Sequence, residues 1–163
     1  MTKFLCDAML GGLAKWLRAA GHDASYASEG TDISDGHLVR RVIEEGRVLL
    51  TSDRGFLERG PVRDGKAAFL LVPHAPVEEQ LRLVAGRFGL ERYDSRCMEC
   101  NGDLKAVLYD AVSGRVPPGV AGEQELFFRC EGCGRVFWHG SHWRRIGARL
   151  DRVFGSPSAM AGP

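Results

Sequence analysis

Residues 3–23, K-F-L-C-D-A-M-L-G-G-L-A-K-W-L-R-A-A-G-H-D, form the stretch that decides the fold. The short apolar run over residues 3–6 predicts a strand with Asp7 at its carboxyl end. Apolar side chains then recur at the spacing of one helical face: Leu10, Leu13, Ala14 and Leu17. Gly21 is placed to end that helix. Open α/β sheets bind ligands outside the carboxyl ends of their strands, so Asp7 is a candidate site residue, and helix capping is its structural alternative.

The same arrangement of a strand followed by an acid recurs at residues 47–53, where R-V-L-L-T leads to Asp53. Residues 23–28 predict a short strand, and Ser34 and Asp35 open a predicted helix that Gly46 ends. Residues 67–72 predict a further strand, and residues 77–88 predict a further helix. This alternation indicates an α/β fold with a doubly wound parallel sheet.

Three carboxylates, those of Asp7, Asp35 and Asp53, are expected along one rim of this sheet, and Asp32 is an additional candidate in the loop before Asp35. Carboxylates in one crevice repel one another unless a cation lies between them. Magnesium and manganese prefer carboxylate oxygens and can activate a water for phosphodiester hydrolysis. In the competing interpretation, each Asp is a separate helix cap or turn residue.

Four of the five cysteines form two C-x-x-C pairs, Cys97 with Cys100 and Cys130 with Cys133. Each pair is followed by a glycine, a pattern typical of a closed, tetrahedral structural zinc site in a ribbon. Bound zinc replaces the core that a segment of about forty residues cannot build. A pair of redox dithiols is the alternative, and the βαβ context that it needs is absent around these residues.

Length and composition set the outer limits of the fold. The 163 residues suffice for one α/β domain and a small appendage, predicted as residues 1–92 and 93–154, with a disordered tail at residues 155–163. The 22 basic and 21 acidic side chains nearly cancel, so any basic surface must be local. The sequence predicts neither a membrane span nor a signal peptide, and paired cysteines in a reducing compartment favour metal binding; a cytoplasmic location is expected.

These residues carry a family resemblance. The string F-L-C-D-A-M-L-G-G-L-A-K-W-L-R-A-A-G-H-D, the later R-V-L-L-T-S-D-R, the C-x-x-C pairs and W-H-G-S-H-W resemble the Mut-seven C-terminal family of PIN-like RNase domains with a zinc ribbon. The resemblance implies a PIN-like α/β/α sandwich and a magnesium- or manganese-dependent ribonuclease site at Asp7, Asp35 and Asp53. Two departures stand out: the loop before Asp35 looks longer than usual, so Asp32 is a rival middle ligand, and Gly12 stands where the family often has a basic residue.

The sequence therefore predicts a ribonuclease with two metal sites. RNA contacts are expected from one set of cationic and aromatic side chains: Lys15, Arg54, Trp138, His142, Trp143, Arg144 and Arg145. Guanidinium groups neutralise phosphates and exposed aromatic rings stack on unpaired bases, which suits a single-stranded partner. The rival hypothesis is a PIN-like and zinc-ribbon module that binds RNA or protein and cleaves nothing.

Overall fold

A computed structural model describes residues 1–156, so nearly all of the tail predicted to be disordered lies outside the described residues. Four parallel strands form the first sheet: β1 (Lys3–Cys6), β2 (Ala24–Tyr26), β3 (Arg47–Thr51) and β4 (Phe69–Leu71). They lie in the order β2-β1-β3-β4, and four helices accompany them: α1 (Gly11–Ala19), α2 (Asp35–Glu45), α3 (Gly60–Arg63) and α4 (Val77–Phe88). The predicted α/β fold with a parallel sheet is confirmed.

Helices cover both faces of this sheet. Phe4 and Cys6 of β1 point into a core shared with α1 and α4, whereas the intervening Leu5 packs with α2 on the other face. Successive strand residues alternate between faces, so a strand buried on both sides must be apolar throughout. That requirement explains the unbroken apolar runs that predict β1 and β3, and it leaves polar function to the strand ends.

A second, antiparallel sheet follows in the order β5-β6-β7, with strands β5 (Leu104–Leu108), β6 (Leu126–Cys130) and β7 (Val136–Trp138). Residues 97–138, here called the C-terminal module, also contain the short helix α5 (Pro118–Ala121). The small core of the module contains Val112, Val116 and Phe127, with Trp138 packed against them.

Helix α6 (Ser141–Phe154) returns from the C-terminal module to the first sheet. Its Ile146 and Leu150 are buried in the same cluster as α1 and α4. Arg149 and Arg152 of α6 contact Glu78 of α4 at 2.6 and 2.8 Å. The sequence groups this helix with the ribbon, but its apolar face completes the core of the α/β layer.

No helix within residues 1–156 is long and apolar enough to cross a membrane.

Candidate functional site

Asp7 and Asp53 lie at the carboxyl ends of the neighbouring strands β1 and β3. Asp7 is 6% exposed; one of its carboxylate oxygens accepts from the Ala8 N–H at 2.7 Å, and the other accepts from the Thr51 hydroxyl at 2.7 Å. The same Thr51 oxygen accepts the Asp53 N–H at 3.0 Å. Thr51 is fully buried, so one hydroxyl fixes the backbone of one acid and the carboxylate of the other.

Both acids also cap the turns that follow them. Asp7 caps the 3₁₀ turn Ala8–Leu10, and Asp53 caps the turn Arg54–Glu58 by accepting from the Gly55 N–H at 2.7 Å. The capping interpretation from the sequence is therefore correct as far as it goes. It does not exclude a site, because each carboxylate oxygen has two lone pairs and Asp53 is exposed.

Asp32 lies in the loop before α2, and Asp35 is the first residue of that helix, which begins after Ser34 as predicted. Asp32 accepts the Ser34 N–H at 2.8 Å, and this hydrogen bond lowers the pKa of the Asp32 carboxyl. Asp35 forms an ion pair with Arg59 at 2.7 Å, across from the turn that follows Asp53. The loop thus brings Asp35 towards the β3 end, with an arginine as its partner.

Carboxylates are the hard oxygen donors that magnesium and manganese prefer, so the acidic residues fit such an ion in kind. Their arrangement is more open than a finished metal site. Within residues 1–156, the only group of three or more His, Cys, Asp or Glu side chains close enough to share an ion is the cysteine cluster. Asp7 and Asp53 are linked through Thr51, whereas Asp35 would have to leave Arg59 to join them.

The cysteine cluster brings together all four predicted zinc ligands, and their sulfur atoms lie within 4.8 Å of one another. Cys97 and Cys133 are 3.7 Å apart, and Cys100 and Cys130 are 3.4 Å apart. A tetrahedral zinc with bonds of about 2.3 Å separates its sulfurs by about 3.8 Å, so the cluster fits such an ion with little change.

The loops around the cysteines are shaped for negatively charged sulfur. The N–H groups of Gly132 and Cys133 donate to the Cys130 sulfur at 3.3 and 3.4 Å. Burial raises the pKa of the Cys130 thiol, but the Cys133 N–H and the Cys100 thiol outweigh it and lower that pKa to about 7. A Cβ at Gly102 would lie 2.8 Å from the Cys130 sulfur, so only glycine leaves room for the cluster there.

The predicted cationic contacts separate in the structure. Lys15 points to the C-terminal module, where it pairs with Glu99 at 3.5 Å. Arg54 is exposed beside Asp53. His142, Arg144 and Arg145 are exposed at the start of α6, and neither arginine has an ion-pair partner among the described residues.

The two predicted tryptophan contacts lie on opposite faces of the second sheet. Trp138 packs into the small core of the C-terminal module. Trp143 stacks on His139, which stacks in turn on Phe128, with centroid separations of 5.3 and 4.9 Å. These three rings line a groove of about 1190 Å³ between β5-β6-β7, α6 and the segment 90–95.

Two residues with central roles escaped the sequence analysis. The strand pattern predicts Thr51 only as the end of β3, although a hydroxyl between a buried strand and an acid is a recognisable signal. Arg18 is 1% exposed, and its guanidinium contacts Glu29 in a bidentate pair at 2.7 and 2.9 Å. An arginine between Leu17 and Ala19 on the apolar face of a helix is the sequence signal for a buried ion pair of this kind.

Comparison with known proteins gives the family of the chain. The chain is similar to the Homo sapiens protein "Exonuclease mut-7 homolog", with 25% identity over an alignment that covers 96% of this chain. It spans only 26% of the length of that human protein. Residues 2–150 match the sequence model of the Mut7-C RNAse domain. The match covers most of the chain, and the chain therefore belongs to the Mut7-C RNAse domain family.

Proposed function

We propose that this protein is a PIN-like, metal-dependent ribonuclease whose acidic site holds magnesium or manganese through Asp7, Asp53 and Asp35. The observation that carries the proposal is the Thr51 hydroxyl, which joins the acids at two adjacent strand ends of an RNase-family fold. We further propose residues 1–92 as the nuclease part and residues 93–154 as a zinc ribbon, in a cytoplasmic protein.

The roles of the residues follow from their contacts. Asp7, held on both carboxylate oxygens, is the rigid acid, and the exposed Asp53 is the one free to adjust to an ion. Asp35 joins them once Arg59 releases it, and an RNA phosphate is a suitable new partner for that guanidinium. A bound magnesium or manganese ion supplies an activated water and neutralises the charge that develops on phosphate.

The test is cleavage of a mixed RNA pool by the full chain with manganese, with and without EDTA. Asp7→Asn and Asp53→Asn keep the side-chain shape but withdraw a charge from the ion, so each should lower cleavage by about 100-fold or more. Asp64→Asn is the matched control, since Asp64 is an exposed carboxylate outside the proposed set. Cleavage at the parent rate in either Asp7→Asn or Asp53→Asn would refute the acidic site.

Asp32→Asn and Asp35→Asn, made separately, identify the middle ligand. We expect Asp35→Asn to be the more damaging, because Asp35 lies at a helix start and reaches the β3 side, whereas Asp32 is engaged in its own turn. A larger loss in Asp32→Asn would assign the role to Asp32.

One observation favours a second candidate function. The Asp35–Arg59 ion pair holds the third acid away from a shared ion, as expected of a module that binds RNA or protein without cleaving it. EDTA-insensitive RNA binding without fragments in the manganese assay would support this alternative.

We also propose that the start of α6 contacts the RNA. Arg144 and Arg145 are exposed without ion-pair partners among the described residues, and the adjacent Trp143 lines the aromatic groove. Each stacked base contributes about 1–3 kcal/mol. His142 lies beside this surface, whereas Trp138 contributes through the core of the C-terminal module. Lys15 and Arg54 remain proposed phosphate contacts, the former in exchange for Glu99.

This proposal is tested in the full chain, because removal of α6 would open the core of the α/β layer. Arg144→Glu combined with Arg145→Glu should weaken RNA binding and reduce the slope of log affinity against log salt by about 1.4, as two phosphate contacts are lost. Lys3→Glu with Lys66→Glu gives the same charge change at the amino-terminal side of the strands. Equal slopes for the two double variants would exclude α6 from the RNA surface.

A further inference from the structure

The first C-x-x-C loop, residues 97–102, packs directly on the first sheet. The Arg18 guanidinium donates to the carbonyls of Met98 and Glu99 at 3.0 and 3.2 Å, and both carbonyls lie between the two cysteines of that loop. Its remaining donors reach the Ala24 carbonyl at 2.8 Å and the Glu29 carboxylate. A buried guanidinium must satisfy its donors, so the position of this loop and that of Arg18 depend on each other.

Asn101 makes a second contact between the loop and the sheet. It has a left-handed backbone at φ 67°, and its side chain accepts the Ala24 N–H at 3.1 Å and donates to Asp23 at 2.8 Å. Strand β2 is an edge strand of the first sheet, so Asn101 occupies an edge N–H that has no neighbouring strand. A metal bound by the cysteines would fix the conformation of the first C-x-x-C loop, and this conformation places the Asn101 side chain against β2.

Glu29 connects this contact to the acidic loop. It ends the 3₁₀ turn Ala27–Glu29, and the next residues lead to Asp32 and Asp35. The Glu29 side chain is exposed, while its partner Arg18 is enclosed. Arg18 is buried and cannot exchange its partners for water. The cysteine loop therefore fixes the position of Arg18, and Arg18 in turn fixes the position of Glu29.

We propose that Arg18 is a positioning residue through which the metal-loaded cysteine loop holds the turn before Asp32 and Asp35 at the rim of the sheet. The inference rests on the proposed function for its effect on cleavage, since it explains how the ribbon supports an acidic site that it does not itself form. The structural link can be measured without any cleavage.

The first measurement is NMR-detected amide exchange at two residues, with zinc bound and after its removal by a chelator. Ala24, whose N–H is held by Asn101, reports docking of the cysteine loop, and Gly30, whose N–H bonds to Ala27, reports the turn. In the parent protein, zinc removal should accelerate both amides, with a change of about tenfold at Gly30, corresponding to one charge-assisted hydrogen bond. An unchanged rate at Gly30 would overturn the proposal.

The second measurement interrupts the link. Glu29→Gln should accelerate Gly30 even with zinc bound, and zinc removal should then add less than about twofold, because coupled perturbations are not additive. Arg18→Lys, which keeps the charge but loses the planar fork, should give the same pattern. Full additivity in both variants would show that the loop and the turn respond independently. Glu44→Gln is the matched control, since it removes the same charge from an exposed carboxylate in α2 that makes no contact with Arg18 or with the cysteine loop.

The third measurement relates the link to catalysis. Glu29→Gln should raise the manganese concentration for half-maximal cleavage by about tenfold while the rate at saturating manganese changes little, and Glu44→Gln should leave both unchanged. An unchanged manganese requirement in Glu29→Gln would remove the acidic loop from the proposal. A parent protein without cleavage would refute the proposed function, and the exchange measurements would still decide the link between loop and turn.

Discussion

Replacement of Thr51 by valine tests whether one hydroxyl organises the two strand ends. Valine keeps the shape of the side chain but removes the donor to the Asp7 carboxylate and the acceptor for the Asp53 N–H. A hydrogen bond to a charged group contributes about 1.5–3 kcal/mol and a neutral one about 0.5–1.5 kcal/mol. Water can replace part of the lost hydrogen bond at the Asp53 N–H, whereas the buried Asp7 carboxylate loses its donor. We therefore expect the free energy of unfolding to decrease by about 2–3 kcal/mol.

For a chain of this size, that loss lowers Tm by about 4–12 °C, which calorimetry or chemical denaturation can measure. Thr51→Ser retains the hydroxyl and should lose less than Thr51→Val. Thr31→Val provides a matched control, because Thr31 is exposed and its substitution leaves no buried group unpaired. A Thr51→Val protein within about 0.5 kcal/mol of the parent would refute the bridging role of the hydroxyl.

Three further predictions concern other parts of the molecule. Gly11→Ala should destabilise the protein by about 1–3 kcal/mol in thermal denaturation, because a Cβ at Gly11 would lie 2.8 Å from the Tyr26 ring. In the control Gly12→Ala the nearest atom to the new Cβ lies at 3.8 Å, so this variant should be neutral or stabilising. Elemental analysis should find one zinc in the parent and none in Cys100→Ser; full occupancy in that variant would contradict a four-cysteine site. Burial lowers the pKa of His22, so the folded state binds fewer protons than the unfolded chain. The free energy of unfolding should therefore fall as the pH drops below about 6.5, by at most about 1.4 kcal/mol per pH unit. An increase in the free energy of unfolding when the pH is lowered from 7.5 to 5.5 would contradict this.

The sequence predicted the features that depend on local pattern. The apolar runs at residues 4–6 and 48–50 are too short for a helix and are typical of strands buried on both faces, and they predicted the places of Asp7 and Asp53. The C-x-x-C spacing likewise predicted a cluster that the structure brings together. Both patterns depend on neighbours along the chain.

Features that depend on distant partners were beyond such patterns. Lys15, a proposed phosphate contact, pairs with Glu99, more than eighty residues away in the sequence, and no local pattern indicates that partner. Trp138 and Trp143 look alike in an aromatic and basic segment, yet strand alternation turns Trp138 into the small core while Trp143 faces the groove. The sequence groups residues 141–154 with the ribbon, but the apolar face of α6 packs on α1 and α4, which lie far away in the sequence.

The docking of α6 also has a consequence for synthesis on the ribosome. Helices α1 and α4 are complete by Phe88, but the helix that covers them begins only at Ser141, after the whole second sheet. At about 5–20 residues per second, the apolar surface around Trp16 and Val77 waits about 3–10 s for its cover. During that interval the nascent α/β layer exposes an apolar strip to aggregation and chaperones, and Glu78 has neither of its arginine partners. A helix made after the whole second sheet therefore closes the core of the first sheet.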